Sequence, residues 1–159
     1  MRARAAWRYL SAAALLALAL AGCGGKSAVT LYLPSEGGLV RREARAEATP
    51  EGLLAALTEA GALPEADWTY LYCRYGTESW ASGGRSEARA VVRLDIADAL
   101  GEALKELEDE RPAVQALANT FLDFYDAEIF VLTVEGVNLQ TLRAYYDHGI
   151  VFDEYAGTE

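Results

Sequence analysis

Histidine is almost missing from this chain, His148 being the only one, and cysteine is confined to Cys23 and Cys73. Zinc sites of the usual nitrogen and sulfur type need more such ligands than that. Any His-based triad would have to be assembled around a residue whose neighbours, Tyr146, Asp147 and Gly149, read as a turn. Positive charge is also scarce. With 14 Lys and Arg against 24 Asp and Glu, the formal charge is −10, which repels phosphates and argues against a nucleic-acid partner. No apolar run is long enough to span a bilayer, for which about 20 residues are needed.

The longest apolar stretch, Leu10 to Leu20, follows Arg2, Arg4 and Arg8 and leads into small residues. A basic start, a short apolar middle and a small-residue end are the parts of a secretory signal, which is not a unit of the fold. The stretch ends in Leu20-Ala21-Gly22-Cys23, which resembles the lipobox of bacterial lipoproteins. That resemblance implies that residues 1–22 are removed and that a diacylglyceryl group is attached to the Cys23 sulfur. Two acyl chains, at about 0.8 kcal/mol per buried CH₂, suffice for stable anchoring. The expected location is therefore the extracytoplasmic face of a membrane, with residues 23–27 as lipidated cysteine and tether. Removal of the leader takes away three arginines and makes the remaining chain more acidic still. With Cys23 lipidated, only Cys73 remains, so no intramolecular disulfide can form. The Gly25-Lys26-Ser27 triplet lacks the upstream glycine and strand that a phosphate loop requires.

One ordinary domain is expected over residues 28–150, followed by a tail, 151–159, with little pattern. Val29, Leu31 and Leu33 alternate with Thr30 and Tyr32, and after Ser35-Glu36-Gly37-Gly38 a partner strand runs from Leu39 to Glu47, so the chain opens with a hairpin. Thr49-Pro50-Glu51 reads as a helix start and Gly61 as its end, with Leu53, Leu54, Leu57 and Ala60 on one face. Asp67 to Tyr75 reads as an aromatic strand, Gly76 to Ser86 as a polar loop holding Trp80, and Ala88 to Leu94 as the next strand. A helix over Ile96 to Leu107, capped by Asp95, precedes a second beginning at Arg111-Pro112. The second helix carries the stripe Val114, Leu117, Ala118, Phe121, Leu122 and Tyr125. Glu128 to Val134 reads as a strand turning at Glu135-Gly136 into a final short strand, Val137 to Leu142. The order predicts an α+β fold, an antiparallel sheet with two or three helices packed on one face.

Val29-Thr30-Leu31-Tyr32-Leu33-Pro34, Gly61-Ala62-Leu63-Pro64-Glu65, Val92-Arg93-Leu94-Asp95, Leu117-Ala118-Asn119-Thr120-Phe121-Leu122 and Val131-Leu132-Thr133-Val134-Glu135-Gly136 occur in that order. Together they resemble the GerMN domain family of spore germination and sporulation lipoproteins and other Gram-positive envelope proteins. The similarity spans about residues 29 to 150. It implies a compact α+β unit related to ring-building domains and a role in protein interaction or assembly. It implies no catalytic residue, and no cofactor beyond the lipid on Cys23. An aromatic strand followed by a polar loop departs from the plain hairpin of the family, so partner surfaces are expected to differ there.

Side chains with chemical potential each have a plain alternative. Glu102, Glu106, Glu108, Asp109 and Glu110 could collect a hard cation, but lie on or beside a helix rather than around a glycine turn, and read as a solvated face. Asp123 and Asp126 could pair as glycosidase acids, but a polar helix face is the simpler reading. Cys73 reads as a small buried apolar residue. Trp68, Tyr70, Tyr72 and Trp80 form the candidate partner surface: they suit either a core face or a stacking and hot-spot surface, with Trp80 expected to be the most exposed. Three functions follow: a non-enzymatic assembly module held to the membrane by lipid, with an envelope protein or a second copy as partner; a lipoprotein binding glycan or peptide; or a cell-wall hydrolase using Asp123 or Glu128.

Overall fold

The computed structural model describes residues 25–66 and 69–155. Cys23 and Trp68 lie outside them. Strands β1 (Lys26–Ser35) and β2 (Gly38–Glu47) form a two-stranded antiparallel hairpin in continuous register, from Lys26 opposite Glu47 to Ser35 opposite Gly38. The strand takes in Lys26 and Ser27, so the tether is shorter than expected. Val29 and Leu31 are buried as the alternation predicts, and so is Tyr32, whose amide donates to Thr120 Oγ1 at 3.1 Å.

Helix α1 (Pro50–Glu59) starts as its sequence dictates: Thr49 is extended, and its side chain accepts from the Gly52 amide, satisfying one of the unpaired donors of the first turn. Leu53, Leu54 and Leu57 bury its inner face. Strands β3 (Tyr70–Ser82) and β4 (Arg85–Ile96) make a long antiparallel hairpin, turning at Gly83-Gly84. Both glycines have positive φ, 58° and 78°, the conformation that a two-residue hairpin turn asks of its central positions. The expected polar loop from Gly76 to Ser86 is thus mostly strand, because cross-strand pairing overrides the weak local preference of Gly, Glu and Ser.

Two helices, α2 (Asp98–Lys105) and α3 (Arg111–Tyr125), connect β4 to β5 (Ile129–Val134), which lies parallel to β4. The expectation of one antiparallel sheet is corrected here. The fold is α+β as expected, but among the described residues the strands fall in two sheets, and the four-stranded one, ordered β3-β4-β5-β6, contains one parallel pair. Asp95 is not a helix cap either: α2 begins after Ala97 with no side-chain cap. Asp95 is instead buried and accepts from Thr133 Oγ1 at 2.6 Å and the Gly136 amide at 2.8 Å, pinning the turn that follows β5. The final strand β6 is only Val137–Asn138.

The main core joins the inner faces of both sheets to the helices through Leu31, Leu53, Leu57, Leu94, Leu117, Phe121, Phe130 and Leu132. Each such side chain contributes roughly 1.5–3 kcal/mol by leaving water. A second, smaller cluster of Val91, Ile129 and Val131 lies on the other face of the four-stranded sheet, under Trp80.

Residues 151–155, the described part of the expected tail, are held by other elements rather than left without structure, and Ile150 leads into them. Ile150 exchanges both backbone hydrogen bonds with Phe130, at 2.7 and 2.8 Å. Gln115 Nε2 donates to the Val151 carbonyl at 2.7 Å, and the buried Asn119 amide both donates to the Asp153 carbonyl and accepts from its amide, at 2.8 and 3.1 Å. The Leu39 amide donates to the Glu154 carbonyl, and Phe152 sits edge-on to Tyr32 at 5.1 Å. Residues 150–154 form a strap laid across α3 and the first hairpin.

Candidate interaction surface

Strand β3 is the outermost strand of its sheet. It pairs with β4 on one side, and among the described residues no strand lies against its other edge. A bulge between Tyr70 and Tyr72 resets which side chains point where. Beyond it, Cys73 and Tyr75 face α3. The Cys73 sulfur lies 3.7 Å from the Tyr125 hydroxyl, and Tyr75 stacks on Tyr125 with ring centres 5.6 Å apart. Phe124 meets Tyr125 edge-on at 5.0 Å. Burial raises the Cys73 thiol above the usual cysteine range, with the Tyr125 contact pulling it partly back. Burial likewise drives the Tyr125 hydroxyl well above the tyrosine range, and the Cys73 contact adds to the rise.

Tyr72, Arg74, Glu78 and Trp80 occupy the opposite, helix-free face. Glu78 is gripped by Arg93, whose Nε and guanidinium nitrogen reach its two oxygens at 2.9 and 2.6 Å, while Arg74 approaches at 3.5 Å. Hydrogen bonding from Arg93 holds the Glu78 carboxyl below the usual glutamate range. Arg89 joins Glu87 and Glu128 nearby, at 2.6 and 2.7 Å. Trp80 closes over Val91, Ile129 and Val131 and is half-buried, not the exposed loop residue expected.

The described members of the aromatic set therefore do not make one platform. Tyr70 packs on the main core, and it lowers the Glu51 carboxyl, which is held low first by its own backbone amide. Tyr72 is 45% exposed, whereas Trp80 is turned inward. Sequence reasoning missed Leu71 and Tyr75, 52% and 49% exposed. Their signal was present, since both lie in the aromatic run, but only the bulge decides their sides.

The remaining candidates stay apart. Arg111 holds Asp109 in a two-point ion pair at 2.9 Å, and Glu102 pairs with Lys105. Glu110 is buried and accepts from Thr141 Oγ1 at 2.6 Å and from the Tyr146 hydroxyl. Asp123 places its charge near the Tyr32 hydroxyl, whose value is raised first by burial and then by that charge, while Asp126 ends α3 in a left-handed conformation, φ 50°. His148 is largely exposed, and among the described residues its partner is adjacent Asp147. Among the described residues no group of three His, Cys, Asp or Glu side chains is placed to hold a metal, and no helix is long and apolar enough to cross a membrane. Depressions between the first hairpin and α1 carry Arg42, Arg45, Glu47, Glu51 and Glu59, a mixed lining of both signs. The chain matches no family model, no curated protein and no solved structure.

Proposed function

We propose that the chain is a lipid-anchored extracytoplasmic lipoprotein whose folded unit works by protein contact in the cell envelope, without catalysis, as the resemblance to GerMN domains implies. The observation that carries the contact reading is the edge of β3, unpaired among the described residues, with Leu71, Tyr72 and Tyr75 half-exposed along it. Monomeric proteins usually blunt such edges, and aromatic side chains on them are favoured anchors of interfaces. The anchor reading rests on Leu20-Ala21-Gly22-Cys23. Sporulation and germination envelopes are the setting that the family resemblance suggests.

A glycan or peptide site on the aromatic strand is the rival. It is less favoured because Tyr70 and Trp80 turn inward and leave Tyr72 without them.

Two measurements test the reading. Labelled palmitate should enter the wild type and not Cys23→Ala, which should appear folded but outside the membrane fraction; equal labelling of both would defeat the anchor. Crosslinking in native membranes should recover a protein partner at β3. Recovery of cell-wall fragments alone would favour the rival, and loss of muropeptide turnover in an Asp123 or Glu128 variant would establish chemistry.

A further inference from the structure

The edge of β3 carries a charge and size pattern that is complementary to itself. From Tyr72 to Trp80 the helix-free face reads Tyr72, Arg74, Gly76, Glu78, Trp80. The middle position is a glycine with nothing within 4 Å of the place its Cβ would occupy. A glycine inside a strand weakens it and leaves room for another backbone to approach.

We propose that β3 pairs antiparallel with β3 of a second copy of this chain, about a two-fold axis at Gly76, joining two four-stranded sheets into one. In that register Arg74 lies opposite Glu78 of the second copy, twice by symmetry, and Tyr72 lies opposite Trp80. On the helix side Tyr75 faces Thr77, and Cys73 faces Ser79.

Side chains directly opposite in an antiparallel pair share a face, so a symmetric register can only shift in steps of two residues. One step either way sets Arg74 against Gly76 or against Trp80 and loses both charge pairs. Two steps set Arg74 against Arg74 or Glu78 against Glu78, like charges opposed, which is destabilising. A parallel pairing in register sets Arg74 beside Arg74 and Glu78 beside Glu78, and one staggered by four residues matches one Arg74 with one Glu78 and leaves the other two charges unmatched. Only the register centred on Gly76 pairs every charge.

Arg74 is the free hand of this arrangement. Its side chain is 73% exposed and touches Glu78 of its own strand only at 3.5 Å, whereas Arg93 already holds Glu78 in place from within. The carboxylate is therefore positioned, and the arginine can reach across. Because such an interface is isologous, it closes on two copies and does not propagate along the membrane.

The inference rests on the reading of the chain as an interaction module, and the two can fail separately. The test uses the purified full chain. Gly76→Cys places two sulfurs across the axis, where Cα atoms of facing residues lie about 4.5 or 5.5 Å apart, within the roughly 4.4–6.8 Å span of a disulfide. Mild oxidation should turn Gly76→Cys into a covalent dimer far beyond the wild-type background. Ala88→Cys, exposed on β4, should stay at that background. In sedimentation of chains without the introduced cysteine, the wild type should dimerise with concentration, and Arg74→Glu should weaken that dimer about tenfold by opposing like charges in two pairs. A wild type that remains monomeric, an Arg74→Glu variant that dimerises equally well, or crosslinking at Ala88→Cys but not Gly76→Cys overturns the proposal. A monomer that still captures a different envelope protein through β3 overturns it too, while leaving the proposed function standing.

Discussion

Several hydroxyl and thiol groups in the structure are kept protonated by their surroundings. Burial raises Cys73, Tyr125, Tyr32 and Tyr146, the last with the buried Glu110 carboxyl beside it as a further cause. A group whose folded value is raised binds its proton more tightly in the native state, so stability is unaffected below the unfolded-state value and falls as pH rises above it. For the thiol that fall begins at about pH 8.5 and for the tyrosines at about pH 10. Urea unfolding midpoints should therefore be level from neutrality to about pH 8 and decline steeply above pH 10. Tyr125→Phe should decline less steeply. A midpoint that rises in that range would contradict the buried placement of these groups. Cys73 is half-buried rather than fully buried as expected, and its packing against Tyr125 should make it slow to alkylate in the native chain.

At the level of elements, the β3-β4 hairpin and the segment that runs beside β5 depend on each other through Trp80. A Cβ on Gly149 would lie 2.2 Å from Ile129 Cγ2 and 2.7 Å from Trp80 Cζ2, so this glycine is required by close packing. Gly149→Ala should destabilise by about 1–3 kcal/mol through overpacking, and Trp80→Ala by roughly 2 kcal/mol through loss of the cover over Val91, Ile129 and Val131. Leu142→Ala, at a fully exposed position, should change urea stability by less than about 0.5 kcal/mol. If Trp80→Ala were as silent as Leu142→Ala, the second cluster would not be a packed unit. The first hairpin, the Thr49 cap and the stripe of α3 were legible because each announces itself locally, by alternation, by a capping residue, or by helical spacing. The second half of β3 was not, since Gly76-Thr77-Glu78-Ser79 has Thr77 as its single strand former and is held by residues across the turn. The parallel partner of β4 had left a trace: Ile129-Phe130-Val131-Leu132 is apolar without alternation, as a strand buried on both faces must be. For the candidate surface, the aromatic run marked the strand, but one bulge separated its residues onto two sides.

The whole molecule is closed by a strap that reads poorly in sequence because its bonds are made to other elements. Asn119 reaches it from the buried face of α3 with a carboxamide that serves as donor and acceptor at once. Asn119→Ala would leave the Asp153 amide and carbonyl unpaired, at about 1–3 kcal/mol if they stay shielded from water, and hydrogen exchange should show residues 150–154 opening before the core. Exchange equal to that of the core would mean the strap is held without Asn119, by Ile150, Phe152 and the bonds of Gln115 and Leu39 to Val151 and Glu154. The parallel placement of β5 beside β4 has a consequence in time rather than in space. Both hairpins close through tight turns, whereas β5 can meet β4 only after α2 and α3 have been threaded between them, and contacts so distant along the chain form late. During refolding, amides of β1 to β4 should gain protection first. Until β5 arrives, β4 is itself an outer strand, so the nascent sheet passes through an interval with both margins open, and that interval is when the chain is most exposed to mispairing.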